Sequence, residues 1–486
     1  MKDIRERLDK LGQTRMPLWI VGVLAGVLVG LVVPVDKMTI GTVVASPFVA
    51  LAFWLQPYSI FAPLVIAAML THYRFATVIG HWRLEQAIST LGVVGLWKVY
   101  RHKLDGTWYR GTVLGGLAAW IAVNAVASLG APQVFQSEKI VVWLVTDVFV
   151  LLLTRQYVTQ FGLGRAVRVF YIWGELALLY GLVLFGFHLS QGNLVRAWGS
   201  MQESDLYGTF AAIMVLLGLG MLQEVSWENR MRRMVIWASV GISVMALVAS
   251  GTRSSLLALG GVAIIMAVVE RSWRPVLLKT LPLFIAVLAL AHIGSQAAVA
   301  ETLRGAPQRA ILAASGSPRN SPDTLIAERD QSRVIVASFV SRLSNITHSY
   351  TLAYRLVRVR EALQGIVSST RFFLLGHGTN AFGQYHSVVI NGKRGPDYLP
   401  VEIVTVPYDT GLIGVVAFGY FVWRVLQKTF LVFWKKRPVA PLAIASSYAL
   451  LVMFVAYQAT NGIWLGFTWI ILGFALTASQ KNRVVV

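Results

Sequence analysis

Arg253 stands in the turn Ser250-Gly251-Thr252-Arg253-Ser254-Ser255, its charge at the shared end of two apolar stretches. A guanidinium at the centre of a bilayer costs about 2.5–3.5 kcal/mol and less near the rim, so an arginine in such a turn has a partner or a function, or snorkels to water. Arg196 comes just before the polar run Gly199 to Asp205 and reads as a loop cation or as a second anion donor. Arg355, Arg358 and Arg360 are crowded into one short stretch, solvated or headgroup-facing unless they bind an anionic group. The chemistry that several arginines could share is a multi-donor clamp on a diphosphate, because the planar guanidinium presents a fixed fork of N–H groups to anionic oxygens.

Proton transfer needs other groups. Glu402 and Asp409 flank the start of a late apolar stretch, where a carboxylate is costly unless it meets water, a cation or a ligand. Glu402 is the better candidate base, with a salt bridge to one of the arginines as its structural alternative. His377 and His386 titrate near neutrality and could serve as bases, although a lone loop histidine is more often polar surface. His377 lies in the run Phe372 to Gly383, whose close glycines permit either a tight turn or backbone approach to a ligand; it is neither a P-loop nor a dinucleotide fingerprint. Tyr398 and Tyr408 are candidate substrate contacts beside Asp409. No His, Asp and Glu spacing reads as a metal site, no cofactor is called for, and the absence of cysteine excludes disulfides, Cys-zinc centres and thiol nucleophiles.

The elements that must position these residues are membrane helices. In 486 residues, 56% are hydrophobic and 13% charged, with a mean hydropathy of +0.63, values outside the range of a soluble domain. The net charge of +21 falls largely in short clusters beside apolar stretches, which positive-inside topology explains without nucleic acid. Apolar runs of about 20 residues match a hydrocarbon core of about 30 Å. The expected architecture is all-α and polytopic, with about twelve spans near 17–35, 41–71, 111–129, 139–155, 168–188, 207–224, 234–250, 254–270, 276–296, 405–426, 440–460 and 464–480. The stretch 41–71, broken by Pro47, Pro57 and Pro63, is taken as one passage, which puts the basic stretch Arg74 to Arg110 in the cytoplasm. The same count keeps the basic amino terminus, Arg230, Arg232, Arg233, Arg271, Arg274, Lys428, Lys435, Lys436 and Arg437 there.

Three regions follow: a bundle at 1–297, an outer loop at 298–404 and a second bundle at 405–486. The segment 189–206, the turn at Arg253 and the long loop share the outer compartment, where a nucleotide-sugar donor is lacking. Within the loop, Ala306 to Asp330 has no periodicity. From Gln331 to Gly365 the pattern turns helical, and Leu352, Leu356, Val359 and Leu363 form an apolar stripe. This helix is expected on the membrane surface or over a cavity.

The order of motifs resembles the O-antigen ligase and O-antigen polymerase superfamily of bacterial inner-membrane glycosyltransferases. The matching pieces are Ser250 to Leu259, Arg358 to Leu363 as Arg-Val-Arg-Glu-Ala-Leu, Leu375 to Phe382 as Leu-Gly-His-Gly-Thr-Asn-Ala-Phe, and Asp409 to Gly414 as Asp-Thr-Gly-Leu-Ile-Gly, spread over residues 190–430. The resemblance implies a GT-C-like fold, an undecaprenyl-diphosphate-linked glycan as substrate, no metal and a periplasmic active site, with Arg253 and Arg196 holding the donor diphosphate. It allows a chain-length regulator as a partner. One departure matters: Pro400 stands where ligases of this family carry a histidine, and Val415 and Val416 lack their threonine. The resemblance therefore implies a polymerase of O-antigen, capsule or exopolysaccharide before a ligase acting on lipid A-core. A transporter or flippase is the rival class, disfavoured by the absence of two matched halves.

Overall fold

The computed structural model describes residues 60–71, 74–77, 80–100, 112–191, 196–201, 203–226, 228–287, 289, 350–390, 393–430, 439–460 and 462–481. The span at 17–35, most of the passage at 41–71, the segment 298–349, and Lys435, Lys436 and Arg437 lie outside them.

The described chain is helical apart from two short antiparallel hairpins. Helix α1 (Phe61–Met69) is followed by β1 (Arg74–Thr77) and β2 (Gly80–Arg83), then α2 (Leu84–Tyr100), α3 (Thr112–Ser128), α4 (Val134–Phe161), α5 (Leu163–Ser190), α6 (Ser204–Glu224), α7 (Arg230–Ser250) and α8 (Arg253–Val269). Helix α9 (Arg271–Val287) follows α8 at a 118° bend. After residue 349 come α10 (Tyr350–Val367), α11 (Thr370–Leu375), α12 (Phe382–Tyr385), the hairpin β3 (Ser387–Ile390) with β4 (Lys393–Pro396), α13 (Glu402–Thr429), α14 (Pro441–Ala456) and α15 (Gly466–Lys481).

Among the described residues α5, α6, α7 and α13 are long and apolar enough to cross a membrane, with a fifth span if α8 and α9 form one bent passage. Helix α6 is the axis of the bundle: nearly every residue from Leu206 to Gly220 is buried, and α7 and α14 pack against it. The outer helices are apolar on their free faces as well. Ile172 and Val183 on α5, Ile264 and Val268 on α8, and Val416 on α13 are all exposed. A fold that leaves such surfaces bare suits hydrocarbon and not water. This is an all-α, multi-pass membrane protein.

Polar contacts fix which loops share a face. Thr71 donates from Oγ1 to the Met201 carbonyl, Ser200 donates from Oγ to the Met69 carbonyl, and Arg83 donates to the Trp464 carbonyl. Met69, Thr71 and Arg83 therefore lie on the same face as Ser200, Met201 and the segment before α15. From there α2 runs to the opposite face, and α3 returns to place Asn124 beside Thr379. Of the stretch Arg74 to Arg110, expected wholly on the cytoplasmic side, the described part is instead a hairpin on the face of 196–205 plus an added helix, and residues 101–110 lie outside the described residues. The reason is physical: Glu85, Gln86 and Ser89 break the apolar signature of α2, yet all three are buried where α2 packs against α4. The helix directions put Arg165, Arg168, Arg230, Arg232, Arg233, Arg271, Arg274 and Lys428 together on the opposite face.

Candidate functional site

The arginine turn folds as its sequence requires. Gly251 ends α7 in the left-handed region (φ 61°), the backbone that glycine adopts without strain, and Thr252 starts α8 from an extended conformation. Ala197 donates its N–H to the Ala249 carbonyl (3.0 Å), drawing the segment before α6 against this turn.

Arg196 then binds three acceptors: the Ser250 carbonyl from Nε (2.6 Å), Thr252 Oγ1 from Nη2 (2.9 Å) and Asp205 Oδ1 from Nη2 (2.5 Å). Arg355 reaches down from α10 to the other oxygen, Oδ2, of the same carboxylate (3.5 Å). Arg253 faces the cations Arg196 and Arg355, and no carboxylate among the described residues pairs with it. Glu203 is the second acid here; it accepts a hydrogen bond from Thr460 Oγ1 (3.2 Å). Burial pushes its pKa up, the Asp205 charge adds to that, and Thr460, Arg196 and Arg355 pull it back. Arg196 and Arg355 thus share Asp205, Glu203 lies beside them, and among the described residues Arg253 is left among cations.

The other two arginines of α10 diverge. Arg358 forms ion pairs with Asp397 Oδ2 from Nε (2.7 Å) and with Glu361 Oε2 from Nη1 (2.7 Å), and lies over the Tyr354 ring. Asp397, whose side chain is fully buried, also accepts from the Tyr354 hydroxyl and from the Tyr398 N–H (2.8 Å). Arg358 therefore braces α10 against the segment that follows β4. Arg360 is exposed and lines a shallow groove of ≈ 410 Å³ with Leu356, Val359 and Leu363. Of the expected apolar stripe, Leu356 and Leu363 are exposed, while Ala362 and Ile366 are buried and Arg355 turns inward; the side chain of Leu352 lies outside those described. A helix that exposes leucines beside one arginine lies at a membrane surface more readily than in water.

The glycine run approaches a helix, not a ligand. Gly411 leaves helical geometry (φ 61°, ψ −163°), which frees the carbonyls of Tyr408 and Asp409 from the α13 ladder. The N–H groups of His377 and Gly378 take them (both 2.9 Å), and Asn380 donates its N–H to Asp409 Oδ2 (2.7 Å). Gly376 (φ 73°) and Gly378 (φ 105°) make that turn possible. A Cβ on Gly376 would lie 2.3 Å from the Asp409 carbonyl oxygen.

The candidate bases are scattered by this arrangement. His377 is sandwiched between the rings of Phe372 (3.9 Å) and Tyr408 (4.3 Å), and burial pulls its pKa below the usual imidazole value. It holds the turn together, and so do Asp409 and Tyr408, neither of which faces the arginines. Glu402 is buried, and its N–H donates to the Tyr457 carbonyl (3.3 Å). Among the described residues no arginine pairs with it, so the expected salt bridge is not there. His386 stacks on Phe382 and turns its Nδ1 toward Glu361 (3.8 Å), within the Arg358 network. Tyr398 is half exposed beside Glu203, Asp205 and Arg355. Of the expected residues, Arg253, Arg196, Arg355 and Tyr398 converge.

Sequence reasoning passed over Asp205, Glu203 and Asp397. Asp205 had a signal: an acid closing the polar run after Arg196, just before an uninterrupted apolar helix. Asp397 and Glu203 had none, because their meaning depends on α10 and on the 457–460 loop folding over them.

The bundle and its arginine turn define a multi-pass membrane protein with a cluster of cations at one end of its helices. No protein-family model matches the sequence, and comparison with curated proteins finds no match.

Proposed function

We propose that this chain is a bacterial inner-membrane glycosyltransferase that polymerises undecaprenyl-diphosphate-linked oligosaccharide repeats at the periplasmic face. The observation that carries the reading is the clustering of Arg196, Arg253 and Arg355 at the end of a membrane helix, where Asp205 pairs with the first and the last and Arg253 faces both cations. A diphosphate carried on a membrane lipid would lie at that depth, and its negative charge would supply what Arg253 lacks.

The side of the membrane is argued from charge. The basic residues in the short loops of the opposite face mark it as cytoplasmic by the positive-inside preference, so the arginine centre faces out. About twelve spans, a GT-C-like arrangement and a chain-length regulator as partner belong to the same reading.

The chemistry follows from the groups present. The acceptor sugar hydroxyl attacks the anomeric carbon of the donor, and the bond from that carbon to the diphosphate oxygen breaks. The departing diphosphate gains negative charge, which the guanidinium groups stabilise. The leaving group is already good, so no general acid is required, and no metal ion is called for because guanidinium groups meet the charge. Tyr398 offers a ring for stacking on a sugar face.

Purified protein given synthetic lipid-linked repeat units provides the test. A ladder of longer lipid-linked glycans supports polymerisation. Transfer of one block, and only to added lipid A-core, assigns a ligase instead. The absence of product under both conditions removes the glycosyltransferase reading.

A further inference from the structure

Transfer to a sugar hydroxyl needs a group to take the proton, and the residues expected to do this are occupied elsewhere. His377 is held between two rings, and Asp409 caps the 376–381 turn. Glu402 is buried with Asp409 as its charged neighbour, and His386 belongs to the Glu361 network. Asp205 is spent on Arg196 and Arg355. Asp397 is spent on Arg358, Tyr354 and a backbone N–H.

Among the described residues one carboxylate at the arginine centre is not spent. Glu203 lies two residues before Asp205, at the start of α6, and is only partly buried. Its hydrogen bond is with the neutral Thr460 hydroxyl through Oε1, and among the described residues no salt bridge reaches either oxygen. Five groups face it: Asp205 from the first turn of α6, Arg196 from the preceding segment, Arg355 from α10, Tyr398 after β4, and Thr460 before α15. The two arginines that border Glu203 are those assigned to the diphosphate, so a base here stands beside the bond that breaks.

We propose that Glu203 is the general base that removes the proton from the acceptor hydroxyl. This rests on the glycosyltransferase reading above. In the step, the acceptor oxygen forms its bond to the anomeric carbon as its proton passes to the Glu203 carboxylate. The electron pair of the breaking bond leaves on the lipid diphosphate, and Glu203 later returns the proton to water. Burial and the Asp205 charge raise the carboxyl's affinity for a proton, which makes it a better base than a free glutamate near neutral pH. Asp205 then has two tasks, holding the arginines and keeping Glu203 basic.

The experiment measures transfer rate and donor binding in the full-length protein, using the wild type, Glu203→Gln, Glu203→Ala and Glu203→Asp. The expected result is a loss of about 100-fold or more in transfer for Glu203→Gln with donor binding retained, and partial rescue of Glu203→Ala by added formate. Transfer by Glu203→Gln at the wild-type rate, or a Glu203→Ala loss that formate leaves untouched, overturns the assignment while leaving the glycosyltransferase reading intact. If neither amide nor alanine variant folds, Glu203→Asp carries the test: its acidic pH limb must move from that of the wild type, and an unmoved limb overturns the proposal. A wild type without transfer activity removes the proposal and the reading together.

Discussion

Arg196 and Asp205 close a 2.5 Å ion pair across the turn that leads into the central helix, and this pair leaves Arg253 facing other cations. Asp205 is the hinge of the arrangement, since its second oxygen is the tie to Arg355 on a helix 150 positions later. Asp205→Asn is expected to cost about 1–2 kcal/mol, because a charge-assisted bond becomes a neutral one and the guanidinium groups repel without a counter-charge. The same variant should gain stabilisation from added pyrophosphate beyond that of the wild type. Thermal unfolding with and without pyrophosphate measures both effects.

Two glycines on one helix should respond in opposite directions. At Gly411 the backbone is left-handed and a Cβ would lie 2.4 Å from the Leu374 carbonyl carbon, so Gly411→Ala should destabilise by about 1–3 kcal/mol and release the docked turn. Gly419 has nothing within 4 Å of its Cβ position, and Gly419→Ala should be neutral or stabilising by up to about 1 kcal/mol. Parallel melting curves separate the two.

Acid should loosen the docked turn through His377. Burial lowers its pKa, so the neutral ring is the form the folded state prefers. Its contribution is complete above the unfolded imidazole value of about 6.5 and is lost as pH falls below that toward the folded value. The wild type should therefore lose thermal stability over this window, and His377→Asn should show a flatter profile from a lower starting point.

The chain has no cysteine, which makes the membrane faces open to direct labelling. A cysteine at Gly80, beside the turn of the first hairpin, and one at Ser387 should react with an impermeant maleimide from the same side. A cysteine at Met231 should react from the other. Labelling of Gly80→Cys together with Met231→Cys would contradict the shared face argued from Thr71, Ser200 and Arg83.

Much of the bundle was legible because a long apolar helix writes its period and length into the chain: the spans at 168–188, 207–224, 234–250 and 405–426 all fall within described helices. Helix α2 was hidden, because Glu85 and Gln86 look like loop residues until the fold buries them against α4. Arg253 and Arg196 were legible as charges at the ends of apolar runs. Their acids were not, since nothing local marks Asp205 as the partner of Arg355 or Glu203 as their neighbour. The glycine run was visible, but its purpose depended on Gly411 freeing two carbonyls some 30 residues later.

The central claim is that Arg253 exists to meet the charge of a lipid-linked diphosphate. Arg253→Ala, compared with wild type for glycan transfer from undecaprenyl-diphosphate repeats in detergent, tests it most directly. Since among the described residues no acid holds Arg253, the variant should fold with stability changed by only about 0.5 kcal/mol, while transfer falls about 100- to 1,000-fold, the usual cost of deleting one charge-stabilising donor. A variant that extends the glycan ladder at the wild-type rate would contradict the account.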